Sequence, residues 1–323
     1  SSAASDVYKR QELLAALSKK GETAAELTCF VEFFLGHAVD PGLRELGLSE
    51  PTIDVCGTGG DRLNLFNVST TSMFIVAAAG TVVVKHGNRG ITSQSGGADV
   101  LEALGLQLDL PMSRWRDCVR ESGVGFLFAP ACHPAFKAVA AARALLAQRG
   151  QRSLFNLIGP LMNPARPRFQ LVGVVEKSLC PVYAHILQGL GRETAWVVNG
   201  QTATGEPVDE MSVMGETSIW QAGSGSDARR FDLTPEDLGL QRAAVEDLRG
   251  GDAQENAKIL RQIVAGQDHS ARRDMVLLNA AAALTCAGVT TTLMEGVAAA
   301  ARAVDSGAAL ARLECFLRMG AAR

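Results

Sequence analysis

DVCGTGGDRLNLFNVSTTSMFIVAAAGTVVVKHGNRGITSQSGGADVLEALG, residues 54–105, is the stretch that decides the fold. Residues 52–55 form a short apolar run with β-branched side chains, which predicts a buried strand. That strand empties into Gly57-Thr58-Gly59-Gly60-Asp61, where glycines let the backbone turn sharply and approach a ligand. Asn67-Val68-Ser69-Thr70 follows, then the small apolar residues 71–79, which predict a buried helix with Ser69 or Thr70 near its N-cap. Strand, glycine turn and helix start together aim unpaired N–H groups and the positive helix end at an anion. A second strand over 81–84 runs into Lys85-His86-Gly87-Asn88-Arg89. Two cations and a histidine at the C-terminal end of a strand suit a phosphate-rich substrate, and ligands of open α/β sheets sit at that edge. The glycine turn has neither the Walker nor the dinucleotide spacing, so alone it is matched by an ordinary tight turn. Lys85 and Arg89 alone are matched by a solvated loop. The specificity lies in both loops leaving neighbouring strands and converging.

Composition sets the frame around this stretch. The chain has 323 residues, 47% hydrophobic and 20% charged, as expected for a globular protein of one large or two unequal domains with a substantial core. A net charge of −3 disfavours a general nucleic-acid binder, so phosphate affinity must be local. The seven cysteines form no CxxC spacing and read as small buried hydrophobes of a reducing, cytoplasmic environment. No apolar run reaches membrane-spanning length and no signal peptide is visible, so no membrane partner is expected.

Working outward, residues 1–10 read as a disordered tail or cloning remnant. Residues 13–17 and 24–35 read as two short helices, with Thr23 as N-cap of the second. Residues 46–51 link this helical domain, 1–50, to an α/β domain over 51–323. Residues 113–121 predict a helix with Met112, Trp115 and Val119 on one face, and 125–129 a strand. Pro134 begins a helix running to about 149 that packs toward the helical domain. Its apolar stripe of Phe136, Val139 and Ala140 carries Arg143, whose burial requires an anionic partner, either a protein carboxylate or a ligand. Spacing alone favours the carboxylate. Strands over 169–175 and 195–199 flank a helix over 181–190, a β–α–β alternation that supports a mostly parallel sheet. Asp209-Glu210 follows Pro207-Val208, and adjacent carboxylates chelate jointly only from a loop. Oxygen ligands of this kind suit Mg2+, although an isolated Asp-Glu pair is usually solvated surface.

GTGGD, FNVST, KHGNRGITS and GADVLEALG, followed in order by FLFAPACHPAFK, FNLIGPLMNPARP, VDEMS, GGDAQENAKIL and RRDMVLLNAAAAL, resemble the anthranilate phosphoribosyltransferases of the nucleoside-phosphorylase-like class. The resemblance implies an α/β domain with a mostly parallel central sheet plus a small helical domain, and a homodimer through the latter. Family members carry about two more helices before the segment matching residues 12–20. It implies transfer of phosphoribose from 5-phosphoribosyl 1-pyrophosphate (PRPP) to anthranilate, releasing pyrophosphate, in tryptophan biosynthesis. Gly57, Gly60 and Asp61 would cradle the phosphoribosyl group. Asn67, Val68, Ser69, Thr70, Lys85, His86, Gly87, Asn88, Arg89, Thr92 and Ser93 would line the phosphates. Gly57, Asn88, His133 and Arg143 would contact anthranilate, Arg143 through the carboxylate and His133 at the channel mouth. Asp209 and Glu210 would hold Mg2+ together with Ser69. For His133 a helix-entry residue bonded to backbone is the alternative.

Four positions depart from the family pattern: Arg62 replaces a glycine, Leu65 a threonine, Thr92 a serine and Gly97 a serine, and Arg62 could restore a lost phosphate contact. The chain is also longer by about three residues near 148–151, beside Arg143. Two other functions fit parts of the pattern. One is a pyrimidine nucleoside phosphorylase-like enzyme with another acceptor. The other is a catalytically silent nucleic-acid-binding relative, which would lack the glycine loop and acidic pair.

Overall fold

The computed structural model describes residues 2–90, 93–151 and 153–321. Helix α1, Ser2–Lys20, has no glycine or proline to stop it before Gly21, so the segment read as a disordered tail is instead its first half. Helix α2, Ala24–Gly36, starts at a capping box, as Thr23 suggested. The Thr23 hydroxyl accepts from the Glu26 amide at 3.3 Å and the Thr23 amide donates to the Glu26 carboxylate at 3.0 Å.

The α/β portion opens with β1 (Thr52–Gly57), α3 (Val68–Ala78) and β2 (Val82–Gly87), then α4 (Gly97–Ala103) and α5 (Met112–Ser122). It continues through β3 (Val124–Phe128), α6 (Ala129–Cys132), α7 (Ala140–Gln148), α8 (Phe155–Ile158), β4 (Phe169–Gly173) and α9 (Cys180–Gly189). Strands β5 (Thr194–Gln201), β6 (Pro207–Val208), β7 (Thr217–Gly223) and β8 (Ser226–Leu233) precede four closing helices. These are α10 (Ala253–Val264), α11 (Ala271–Cys286), α12 (Leu293–Asp305) and α13 (Ala308–Gly320).

The strand order is β3-β2-β1-β4-β5-β7-β8, with β6 paired to β5. From β3 to β5 every pairing is parallel, while β6, β7 and β8 add an antiparallel extension. The parallel strands are buried almost throughout, and apolar residues dominate them apart from buried polar residues such as Asp54, Lys85, His86 and Gln170. One sheet face packs against α3 and α10–α13, where α11 is buried on nearly every side. The other face packs against α2, α8 and α9. All seven cysteines are free thiols, five of them buried. Among the described residues, no helix is long and apolar enough to cross a membrane.

Two predicted helices change. Helix α3 starts at Val68, with Asn67 as N-cap, so Ser69 and Thr70 lie in its first turn. The Asn67 side chain makes no capping bond because it reaches across to Ser95 and Asn256. The helix expected from Pro134 is broken. A 3-10 turn spans Pro134–Ala138, and α7 begins only at Ala140. The carbonyl of Ala138 is taken by the Arg10 guanidinium from α1, and Phe136 is packed against Phe34 of α2. Tertiary partners have replaced the first helical turn.

Candidate active site

Under the acidic loop, three neighbouring strands carry glycine at or near their ends: Gly57 of β1, Gly173 of β4 and Gly200 of β5. Gly57 and Gly173 are in register. The loop carrying Asp209 and Glu210 lies directly on this bare backbone. A Cβ on Gly173 would stand 1.6 Å from the Asp209 carbonyl oxygen, and one on Gly57 2.2 Å from Asp209 Oδ2. The acidic pair comes so close because nothing projects from the strand ends beneath it.

Asp209 Oδ2 accepts from the Gly59 amide at 2.6 Å. Glu210 Oε1 accepts from the Ser69 amide, in the first turn of α3, at 3.2 Å. Amides at a glycine turn and a helix start attract anions, and here the acidic loop occupies them. Lys85, only 4% exposed, donates to the Val55 carbonyl and, at 3.1 Å, to Ser69 Oγ. The glycine turn, the start of α3, Lys85 and Asp209-Glu210 therefore meet in one hollow. The expectation that this pair is solvated surface in isolation does not hold, for Asp209 is buried.

Burial pushes both carboxyls above the ordinary range, helped by the charge of Asp61 on Asp209 and of Asp209 on Glu210. Burial raises Asp61 as well. Such a site favours a cation. Among the described residues, no three His, Cys, Asp or Glu side chains converge as a closed metal cage. Two carboxylates and a nearby serine hydroxyl are oxygen donors of the kind that Mg2+ takes.

The turn itself is tightly bent. Gly59 and Gly60 have φ of 68° and 96°, and Arg62 and Asn64 adopt 61° and 54°. Arg62 therefore occupies a left-handed conformation that glycine takes freely. The Asp61 carboxyl beside it is raised by burial and accepts from the Leu63 amide at 3.1 Å. Leu65 bridges to Arg249 and packs against the main core. Gly97 is filled from outside: a Cβ there would stand 2.7 Å from Thr70 Oγ1. Thr70 is buried and Val68 is a core residue, while Asn67 Nδ2 donates to the Ser95 carbonyl at 3.1 Å.

The second loop is organised around Asp99. Its Oδ2 accepts from the amides of Gly90 and Gly96, both at 2.8 Å. Arg89 pairs with Asp99 at 3.0 Å and bidentately with Glu102 at 2.6 and 2.9 Å. Its guanidinium is turned to α4 rather than to the hollow. Asn88 is exposed and accepts from the Arg89 amide at 2.8 Å, while Ser93 donates to the Ser95 carbonyl at 3.1 Å. Thr92 lies outside the described residues.

Arg143 has no carboxylate partner among the described residues. Its guanidinium carbon sits 4.8 Å from the Phe155 ring centroid and 5.7 Å from that of Phe136, and burial lowers its pKa. Cation–π contact thus replaces the salt bridge that spacing favoured, and leaves the charge available to a ligand. His133 is 2% exposed and places Nε2 3.2 Å from Nε2 of His86. Burial lowers both pKa values, that of His86 to about 3, so both rings are neutral and one donates to the other. His133 is thereby a buried partner of His86, and it also stands at the entry of the 3-10 turn Pro134–Ala138 with a backbone bond to Met162, as the alternative expected. The turn after α7, at the lengthened segment, closes through Gln151 donating to the Leu146 carbonyl at 3.0 Å.

Sequence reasoning missed Gly173, Phe155, Asn256 and Asn279. The Asn256 amide joins Asn67 Oδ1, at 2.9 Å, to the backbone of Gly251. Only its place in the GGDAQENAKIL segment marked it.

Residues 49–310 match the family described as glycosyl transferase family, a/b domain. The anthranilate phosphoribosyltransferase of Anaeromyxobacter dehalogenans (strain 2CP-C) is 46% identical over 300 residues, 93% of this chain and 85% of that protein. That of Anaeromyxobacter sp. (strain Fw109-5) is 47% identical over 311 residues, 95% and 88% of the two chains. The crystal structure of the Thermus thermophilus enzyme matches with a TM-score of 0.86 at 38% identity, over 97% of this chain and 90% of that one. The Saccharomyces cerevisiae enzyme in complex with PRPP and Mg matches with a TM-score of 0.82 at 29% identity, over 97% and 85%. By family match, by identity along nearly its whole length and by fold, the chain belongs to the anthranilate phosphoribosyltransferase family.

Proposed function

We propose that this protein transfers the phosphoribosyl group of PRPP to the amine of anthranilate, giving N-(5-phosphoribosyl)anthranilate and pyrophosphate. The observation that carries the reading is the convergence of the glycine turn, the first turn of α3, Lys85 and the acidic pair at one sheet edge. Asp209, Glu210 and the Ser69 hydroxyl would hold Mg2+, which supplies positive charge to the diphosphate. Lys85 adds a fixed cation; one such charge about 4 Å from a developing anion contributes on the order of 4 kcal/mol at an effective dielectric near 20. Amides of the glycine turn beyond those of Thr58 and Gly59, which bond Gly173 and Asp209, would supply further donors for the leaving group. The C1–O bond to pyrophosphate breaks as the C1–N bond forms, and the amine proton passes to solvent. An aromatic amine is neutral at pH 7, so positioning and leaving-group stabilisation carry the rate.

On the acceptor side, Arg143, held between two phenyl rings, would bind the anthranilate carboxylate, with Asn88 and the His86–His133 pair beside it. Arg89, Asn67, Thr92 and Ser93 would reach phosphate, Arg89 by exchanging Glu102 for it. Residues 1–50 and 51–323 are read as helical and α/β domains, the former pairing two copies of the chain. The exposed Tyr8, Leu13 and Phe33 on α1 and α2 support that pairing.

The test follows the fluorescence of anthranilate with PRPP and Mg2+. Wild type consumes anthranilate, Asp209→Asn loses kcat, and Arg143→Ala chiefly raises KM for anthranilate. Turnover of pyrimidine nucleosides without turnover of anthranilate would overturn the acceptor. Full activity in Asp209→Asn would overturn the metal assignment.

A further inference from the structure

The acidic loop has a feature that the strand ends below it do not explain. After β6, only Pro207–Val208, the chain leaves the sheet, so the Met211 peptide has no neighbouring strand to pair with. A buried peptide without partners is costly. Met211 is fully buried, yet both its polar groups are satisfied by one side chain, that of Asn279 on α11. Asn279 Oδ1 accepts from the Met211 amide at 2.9 Å, and Asn279 Nδ2 donates to the Met211 carbonyl at 2.9 Å. The side-chain amide thus copies the paired N–H and C=O of an antiparallel strand. Nδ2 also donates to the Met275 carbonyl in its own helix at 2.8 Å, which settles the orientation of the amide. Asn279 is 1% exposed, and the helix behind it is packed from Met275 to Leu284.

We propose that Asn279 is a positioning residue for the metal-binding pair: by clasping the peptide that follows Glu210, it fixes where the Asp209 and Glu210 carboxylates stand. The proposal rests on the assignment of Asp209 and Glu210 to Mg2+·PRPP given above. No other residue type serves. Aspartate keeps the shape but has no N–H for the Met211 carbonyl, leucine satisfies neither group, and glutamine is one methylene too long for a packed site. The clasp also explains why the RRDMVLLNAAAAL segment, far from the sheet edge in sequence, belongs to the recognisable pattern. Asn256 clasps the Gly251 peptide in the same way, accepting from its amide at 2.9 Å and donating to its carbonyl at 3.2 Å, and its Nδ2 also donates to Asn67 Oδ1 at the phosphate loop rather than at the acidic pair.

The experiment measures Mn2+ binding by electron paramagnetic resonance with PRPP present, in wild type, Asn279→Asp and Asn279→Ala. Steady-state constants and thermal unfolding are measured on the same samples. The expected result is Mn2+ affinity weakened about tenfold or more in both variants, with kcat reduced and KM for anthranilate nearly unchanged. Asn256→Ala serves as the contrast, weakening PRPP binding more than Mn2+ binding. Folded variants with wild-type Mn2+ affinity would overturn the proposal, as would losses that merely track a lower unfolding temperature across every constant. Should neither variant fold, amide hydrogen exchange of wild type decides: the clasp predicts a slowly exchanging Met211 amide, and exchange at the rate of an open loop refutes it. Wild type that binds Mn2+ through this clasp yet leaves anthranilate unconsumed would sink the acceptor assignment and spare the clasp. Active wild type with Asn279-independent metal binding would do the reverse.

Discussion

Gly173 shows how little space separates the acidic pair from the sheet. A methyl group there would stand 1.6 Å from the Asp209 carbonyl oxygen, a backbone atom that cannot rotate aside. Gly173→Ala should therefore lift the loop bodily. We expect a loss of stability of about 1–3 kcal/mol from overpacking, and a fall in kcat of about 100-fold if the carboxylates move by about 1 Å. Thermal unfolding and steady-state kinetics on one sample check both. At this scale, the local sequence marked Lys85 as a strand-end cation, Asp209-Glu210 as a loop pair that suits Mg2+ and Ser69 only as a helix-cap candidate; the family resemblance, not local chemistry, grouped them around one ion. Gly173, Phe155 and Asn279 were not legible, because their significance is what lies across from them. Arg143 sits between the two cases: its need for an uncommon environment was readable, but two aromatic rings rather than a carboxylate provide it.

Elements were read well where one periodicity governed and poorly where a tertiary partner intervened. Strands β1, β2 and β4 carry short apolar runs, and Thr23 announces α2. The turn at Pro134–Ala138 defeated the reading because Arg10 and Phe34, both distant in sequence, take the groups a helix would use. The start of α3 was placed near Ser69 and Thr70, which lie in its first turn; its cap, Asn67, went unread because its side chain serves Ser95 and Asn256 instead. The packing of α11 on α12 supplies a test of its own. Gly296 in α12 brings the helices so close that a Cβ would stand 2.9 Å from the Ala281 backbone. Alanine gains about 1 kcal/mol over glycine in a free helix, whereas overpacking costs typically about 1–3 kcal/mol. The clash should win, so Gly296→Ala should lower the urea midpoint. A raised midpoint would mean the helices separate easily.

For the whole molecule, the parallel half of the sheet carries the site and the antiparallel half extends it away from the chemistry. The topology was only partly legible, since β8 carries the exposed pattern of an edge and β7 beside it follows no β–α–β alternation. The core beneath the site also sets a pH dependence. His86 is buried beside His133, and burial lowers its pKa to about 3. The unfolded chain takes up this proton near pH 6.5 while the folded chain refuses it. Stability should therefore fall as pH drops from about 6.5 toward 3, by about 1.4 kcal/mol per pH unit for this group, with His133 acting in the same direction. Urea unfolding from pH 7 to 5 should show a shallower slope in His86→Gln than in wild type, and identical slopes would contradict the assignment.

What joins these scales is one geometric statement: a glycine turn, a helix start, a buried lysine and a loop-borne acidic pair grip one metal-bound sugar diphosphate. Crystallography with PRPP and Mn2+ is its sharpest test, because anomalous scattering locates the ion independently of interpretation. The expected result is an anomalous peak within coordination distance of Asp209 and Glu210, with the diphosphate between that ion, the Gly59–Gly60 turn and Lys85. An ion or diphosphate lodged in a different hollow, with these residues untouched, would contradict it.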